Sequence, residues 1–137
     1  MTETVEFELV SPERLLKSEL VDMVVVPGAE GDLGILPGHS LLIATMRPGV
    51  IDIHKDGVVV EKIFISGGFA EVSPERCTVL AEEAIPVDDI NKEEAKIRLK
   101  NAKELLDNVK SKNQSDTSIA DKEVQAAEAM VSAIPGS

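Results

Sequence analysis

Apolar residues recur at every second position up to about Pro86 and at every third or fourth position from Asn91 onward. A strand sends alternate side chains to opposite faces, whereas a helix turns once in 3.6 residues, so no single element satisfies both spacings. The change of period commits the first part of the chain to sheet and the rest to helix. Val5, Phe7 and Leu9 alternate with Glu6 and Glu8, which describes a half-buried strand with an acidic outer face. Apolar runs follow at Val21–Val26, Gly34–Leu36, Leu41–Met46, Val50–His54, Val58–Ile65, Phe69–Val72 and Cys77–Leu80. Asp56-Gly57 between two β-branched runs signals a tight hairpin, and Gly67-Gly68 lets the chain bend or pass close to another backbone. Frequent turns between short strands predict a flattened sandwich or barrel of about ten strands over residues 1–86.

The remainder, residues 87–137, is expected to form an antiparallel two-helix hairpin, making the whole an α+β chain. One seam runs Ala95, Leu99, Ala102, Leu106, Val109, and a second runs Ala120, Val124, Ala127, Val131, Ile134. Asn91 with Glu94, and Ser118 with Asp121, have the spacing of N-terminal caps. Ser111 to Thr117 is polar and suited to the connecting turn. Two short helices with narrow seams are marginal alone. The hairpin therefore needs a neighbour, either the sandwich or another protein.

Composition narrows function mainly by exclusion. The net charge of −11 repels phosphate backbones and anionic lipid heads, and three Phe are the only aromatics. Nucleic-acid binding is excluded on both counts. Acidity is concentrated in residues 1–88, which hold 16 acidic and 6 basic side chains. Cys77 is the single cysteine, so no internal disulfide forms, and its apolar surroundings mark it as a small core residue. No stretch reaches the length of a membrane span, and the acidic start lacks the features of a leader peptide.

The segment Glu30–His39, EGDLGILPGH, follows Val24-Val25-Val26 and Pro27-Gly28. Its glycine density predicts an exposed loop, a short strand and a second turn. It reads first as a connection between strands and second as a contact surface held on a rigid sheet. Nucleotide-binding glycine patterns fail on spacing, since Gly28, Gly31 and Gly34 form GxxGxxG with no Gly-Lys-Ser/Thr after them. His39 and His54 cannot make a usual zinc site alone; His39 is expected to shape its turn and His54 to face outward. No nucleophile elbow or calcium loop is present, so neither catalytic residues nor a metal or cofactor is expected. A free-standing β-sandwich that binds a small ligand remains the alternative.

Taken in order, EGDLGILPGH after Val-Pro-Gly, the run Ile65–Val72 (ISGGFAEV), the run Thr78–Ala84 (TVLAEEA) and the opening Phe7–Pro12 (FELVSP) resemble the epsilon subunit of bacterial F-type ATP synthase. The two-helix tail completes the resemblance. It implies a non-catalytic part of the central stalk, whose sandwich binds the gamma subunit and rests on the c ring, coupling proton flow to rotation and ATP synthesis. Glu30, Gly31, Asp32, Leu33, Gly34 and His39 would then form the contact loop toward the c ring and gamma. The place implied is the cytoplasmic face of the bacterial inner membrane, peripherally and without insertion.

The family's hairpin can extend toward the alpha and beta subunits and inhibit ATP hydrolysis, and in some members it binds ATP through Ile/Leu-Asp-x-x-Arg-Ala. The aligned residues here are Ile90, Asn91, Lys92, Glu93, Glu94 and Ala95. Asn91 stands for the Asp and Glu94 for the Arg, and an anion in place of a phosphate-pairing cation inverts the electrostatics. ATP binding is expected to be weak or absent. The bases that would reach an acidic partner crowd the first helix, with Lys122 alone on the second, so the hairpin is expected to inhibit weakly at most.

Overall fold

The protein is described by a computed structural model over residues 3–112 and 117–135. Ten strands come first: β1 (Val5–Val10), β2 (Leu15–Val21), β3 (Met23–Gly28), β4 (Gly31–Ile35), β5 (Leu42–Met46), β6 (Gly49–Lys55), β7 (Val58–Ile65), β8 (Gly68–Val72), β9 (Arg76–Ala81) and β10 (Ala84–Pro86). A 3-10 turn, Val87–Asp89, leads to α1 (Lys92–Ser111) and then α2 (Ser118–Ala133). The strands run β10-β7-β6-β3-β5-β8-β9-β1-β2, with β4 also paired to β3. β1 and β9 are parallel, the other pairs antiparallel. This one long sheet folds over on itself as a half-barrel sandwich.

Its inner face is aliphatic, as the lack of Trp and Tyr requires. Val5, Phe7, Val24, Val26, Ile51, Ile53, Ile65 and Val79 are fully enclosed, so the interior is filled with side chains. Cys77 belongs to the same core, and burial pushes its thiol pKa up to about 12, which leaves it inert. The Asp56-Gly57 hairpin forms as expected, with left-handed φ values of 53° and 80°.

Three strands depart from the sequence reading. The run Val21–Val26 splits at Asp22, because Val21 closes β2 and Met23 opens β3. β2 escaped detection because its alternation is carried by charged residues. Lys17 and Glu19 on β2 reach across to the other sheet layer, Lys17 Nζ lying 2.8 Å from Glu61 and Lys55 Nζ 3.0 Å from Glu19. These ion pairs hold the β2 edge against β6 and β7, where no backbone ladder joins them. β10 is three residues long, too short to announce itself, and pairs with β7.

Both helices form. The Asn91 side chain accepts the Glu94 N–H at 3.0 Å, capping α1 as the spacing predicts. The second cap differs: Thr117, not Ser118, occupies the N-cap position, and its hydroxyl donates to Asp121 Oδ2 at 2.7 Å. The connecting turn falls largely on residues 113–116, outside the described residues. Every seam position is at least half-buried, and α2 buries Ala126 and Met130 as well. That second apolar face lies on the sandwich, where Met130 and Ile134 meet Phe64, Val87 and Ala95. Among the described residues no helix is long and apolar enough to cross a membrane.

The Lys17–Glu19 network has a definite pH signature. Its hydrogen bond to Glu61 holds Lys17 above 10.5 despite burial. Burial pushes the Glu19 carboxyl up, yet the Lys55 hydrogen bond and the charges of Lys17 and Lys55 together hold it below 4.5. Lys17 therefore stabilises the fold fully below its ordinary value, with loss as pH rises through the raised one. Glu19 does so above its ordinary value, with loss as pH falls through the lowered one. Urea midpoints should be flat between about pH 5 and 10 and fall outside that window. Glu19→Gln should cost about 1 kcal/mol at neutral pH and shrink the acid-side fall.

Candidate functional site

The glycine-rich segment is more strand than loop. Gly28 pairs with Gly31, so β3 and β4 are joined by the two-residue turn Ala29-Glu30. Gly31, Asp32, Leu33 and Gly34 all lie in β4, three residues earlier than the expected short strand at Gly34, because β3 supplies a ladder right up to the turn. A Cβ on Gly28 would stand 2.5 Å from the Gly31 carbonyl oxygen, so the crossing requires glycine there. Arg47 fastens the hairpin from outside: its guanidinium donates to the Gly28 carbonyl and to Asp32 Oδ1, the latter at 2.6 Å. Sequence reasoning missed Arg47, whose only signal was a positive charge within an acidic half.

Glu30 sits exposed at the turn and makes no ion pair among the described residues. Leu33 is half-buried against the core. His39 lies past the end of β4, where its backbone N–H donates to Leu36 at 3.2 Å and its Nδ1–H to the Ser40 carbonyl at 2.8 Å. The preceding Gly38 N–H bonds Pro74 at 2.8 Å, tying this turn to the β8–β9 connection. The structure thus places Glu30 and His39 in two separate turns. Beside the first turn, a groove of about 510 Å³ opens between Gly28–Leu33 and Leu42–Thr45.

Register puts two apolar rows on the outer faces of the sheet. Val50, Phe64 and Ile85 stand opposite one another on β6, β7 and β10, and the hairpin covers that row. On the other layer, Phe69, Leu80, Val10 and Leu15 stand opposite one another across β8, β9, β1 and β2. Nothing among the described residues covers this second row; Phe69 is 54% exposed and Leu15 55%. The adjoining row, Glu71, Thr78, Glu8 and Ser18, is polar.

At the start of α1 the four motif positions serve structural ends. Ile90 packs beside Phe64, Asn91 caps the helix, and Ala95 is buried under α2. Glu94 is exposed at a groove of about 410 Å³ that also holds Arg98, Asn101 and Glu123. Arg98 is committed already. Its Nη1 donates to Glu83 at 2.9 Å, and its Nε donates to Glu123 at 2.8 Å. One side chain thereby joins α1, α2 and the turn before β10. The Glu123 hydrogen bond leads, with Glu83 behind it, in raising the Arg98 pKa against the opposing effect of burial. Among the described residues no group of three or more His, Cys, Asp or Glu could hold a metal ion.

Comparison with known proteins agrees with this architecture. The family described as ATP synthase, Delta/Epsilon chain, beta-sandwich domain matches residues 4–87. A protein named ATP synthase epsilon chain from Paramagnetospirillum magneticum is 56% identical over 134 residues, 98% of this chain and 99% of that one. Another of that name, from Granulibacter bethesdensis, is 46% identical over 126 residues, covering 92% and 93%. A solved chain in the Euglena gracilis mitochondrial ATP synthase, an assembly of OSCP, F1 and c-ring, shares the fold with a TM-score of 0.74. Its identity is 24%, covering 95% of this chain and 81% of that one.

Because Arg98 bridges three elements, Arg98→Ala should loosen the hairpin without unfolding the sandwich. Amide exchange in α1 and α2 should speed up by about fivefold, corresponding to about 1 kcal/mol, while β1, β3 and β6 stay protected. Hydrogen-exchange mass spectrometry of the full chain reads this directly.

Proposed function

The chain belongs to the ATP synthase epsilon-chain family, and on that footing we propose that it is a non-catalytic subunit of the central stalk, coupling rotation of the c ring to ATP synthesis through contacts with the gamma subunit and the c ring. One observation carries this reading: the uncovered apolar row Phe69–Leu80–Val10–Leu15. A row this continuous across four strands calls for a partner, because its counterpart on the other layer is buried by the chain's own hairpin. We assign the bare row to gamma. The Ala29-Glu30 turn, stiffened by Arg47 and carrying an unpaired carboxylate, is assigned to the polar loops of the c ring. An exposed ion pair there adds only ~0–1 kcal/mol, so shape and a rigid hairpin would transmit torque more than charge does.

By the same reading the protein works at the cytoplasmic face of the bacterial inner membrane, held there by the complex. The hairpin inhibits ATP hydrolysis weakly at most and binds ATP weakly or not at all. Glu94 and Glu123 line the groove at the start of α1, whose cation, Arg98, is already held by Glu123 and Glu83. A triphosphate entering that groove meets carboxylates with no free guanidinium to pair with.

The test is to mix the chain with the gamma subunit. A stoichiometric complex should form at micromolar concentration, and Phe69→Ser combined with Leu80→Ser should weaken it tenfold or more, given roughly 1.5–3 kcal/mol per buried apolar side chain. Absence of a wild-type complex would overturn the reading. Separately, calorimetric titration with ATP should give no heat of binding up to about millimolar ligand, a dissociation constant of ~1 mM marking the edge of detectable affinity.

A further inference from the structure

We propose that the gamma partner docks partly by strand addition, laying an extended apolar segment with a Lys or Arg at one end along the stretch of β5 around Ile43 that β3 leaves unpaired. The inference rests on the stalk reading above and adds to it the mode of attachment. The Thr45 carbonyl accepts the Ala29 N–H at 2.9 Å, and the Arg47 N–H donates to Pro27 at 2.9 Å. Odd-numbered residues of β5 therefore turn their backbone polar groups toward β3 and away from β8. The β3–β5 pairing ends at Gly28 and Met46. Among the described residues no strand lies alongside Ile43 on this side, so its N–H and C=O face the groove between β5 and the glycine-rich hairpin.

An unpaired backbone edge is a template for another strand, and folded proteins ordinarily blunt it with charge, proline or a bulge. None of these devices guards β5. It pairs with β8 in unbroken register from Leu42 to Met46. Leu41 is 80% exposed and Ile43 76%, while Leu42, on the opposite face, is half-buried against the core. A strand added here would gain main-chain hydrogen bonds and apolar neighbours on both faces, the usual currency of peptide capture at a sheet edge. Charge selects the occupant. Glu71, opposite Ile43 on β8, is exposed and makes no ion pair among the described residues, and a second copy of this chain, at net charge −11, would bring like charges together. A basic residue on the incoming segment answers Glu71.

Proline separates this proposal from simple side-chain contact. Ile43→Pro removes an N–H that takes no part in the β8 ladder, so the strand survives while its edge is blocked; Ile43→Ala shortens the side chain and keeps the N–H. The full chain would be mixed with gamma subunit and followed by hydrogen exchange and binding titration. Exchange of the wild-type Ile43 amide should slow by about a hundredfold in the complex. Ile43→Pro should bind about tenfold more weakly than Ile43→Ala. A complex that leaves the Ile43 amide unprotected, or equal affinities of the two variants, would overturn strand addition and leave the stalk reading standing. Protection of Ile43 without gamma, in a dimer of the chain, would also overturn it. No wild-type complex at all would overturn the stalk reading itself.

Discussion

β7 is apolar on both of its faces where it matters most. Ile63 and Ile65 point into the sandwich, and Phe64 between them points out, yet all three are buried. A strand in water can leave one face to solvent, but Phe64 with Val50 and Ile85 beside it needs a cover. α2 supplies that cover through Met130 and Ile134. The hairpin is thus held by the sheet, and the sheet's outer row is kept dry by the hairpin. Neither narrow-seamed helix would be expected to persist without it.

The same logic exposes the other layer. Its outer row, led by Phe69 and Leu80, is built on the same register principle and has no cover among the described residues. One sheet folded over on itself offers two outer faces but only one hairpin to shield them. The asymmetry separates what the chain does for itself from what it leaves for a partner. The groove between Glu30 and Ile43 opens on the uncovered side of that division, where the register of β5 with β8 links it to Phe69.

Much of this was legible in the sequence, and the exceptions have physical causes. The switch from alternation to helical spacing located both halves, and Asp56-Gly57 and Asn91 marked a turn and a cap that form. β2 was hidden because Lys17 and Glu19 occupy positions where alternation would call for apolar side chains; they are tolerated there because Glu61 and Lys55 meet them. The length of β4 was hidden because glycines that read as loop are needed where β3 and β4 approach closely. Arg47 and the Arg98 bridge could not be read at all, since their partners lie 15 to 25 residues away in sequence. The second face of α2 was visible only as Ala126 and Met130 outside a tidy seam, and it became meaningful once Phe64 required a cover.

The start of α1 shows how one set of charges can settle two questions. Glu83 and Glu123 hold Arg98 and so fasten both helices to the sandwich. With Glu94 they also make the adjoining groove hostile to phosphate. A guanidinium free to bind a nucleotide would have to leave those carboxylates, and leaving them would release the hairpin from the turn before β10. On the function proposed above, nucleotide affinity and a fastened hairpin would compete for the same side chain, and the short distances on both sides of Arg98 favour the hairpin.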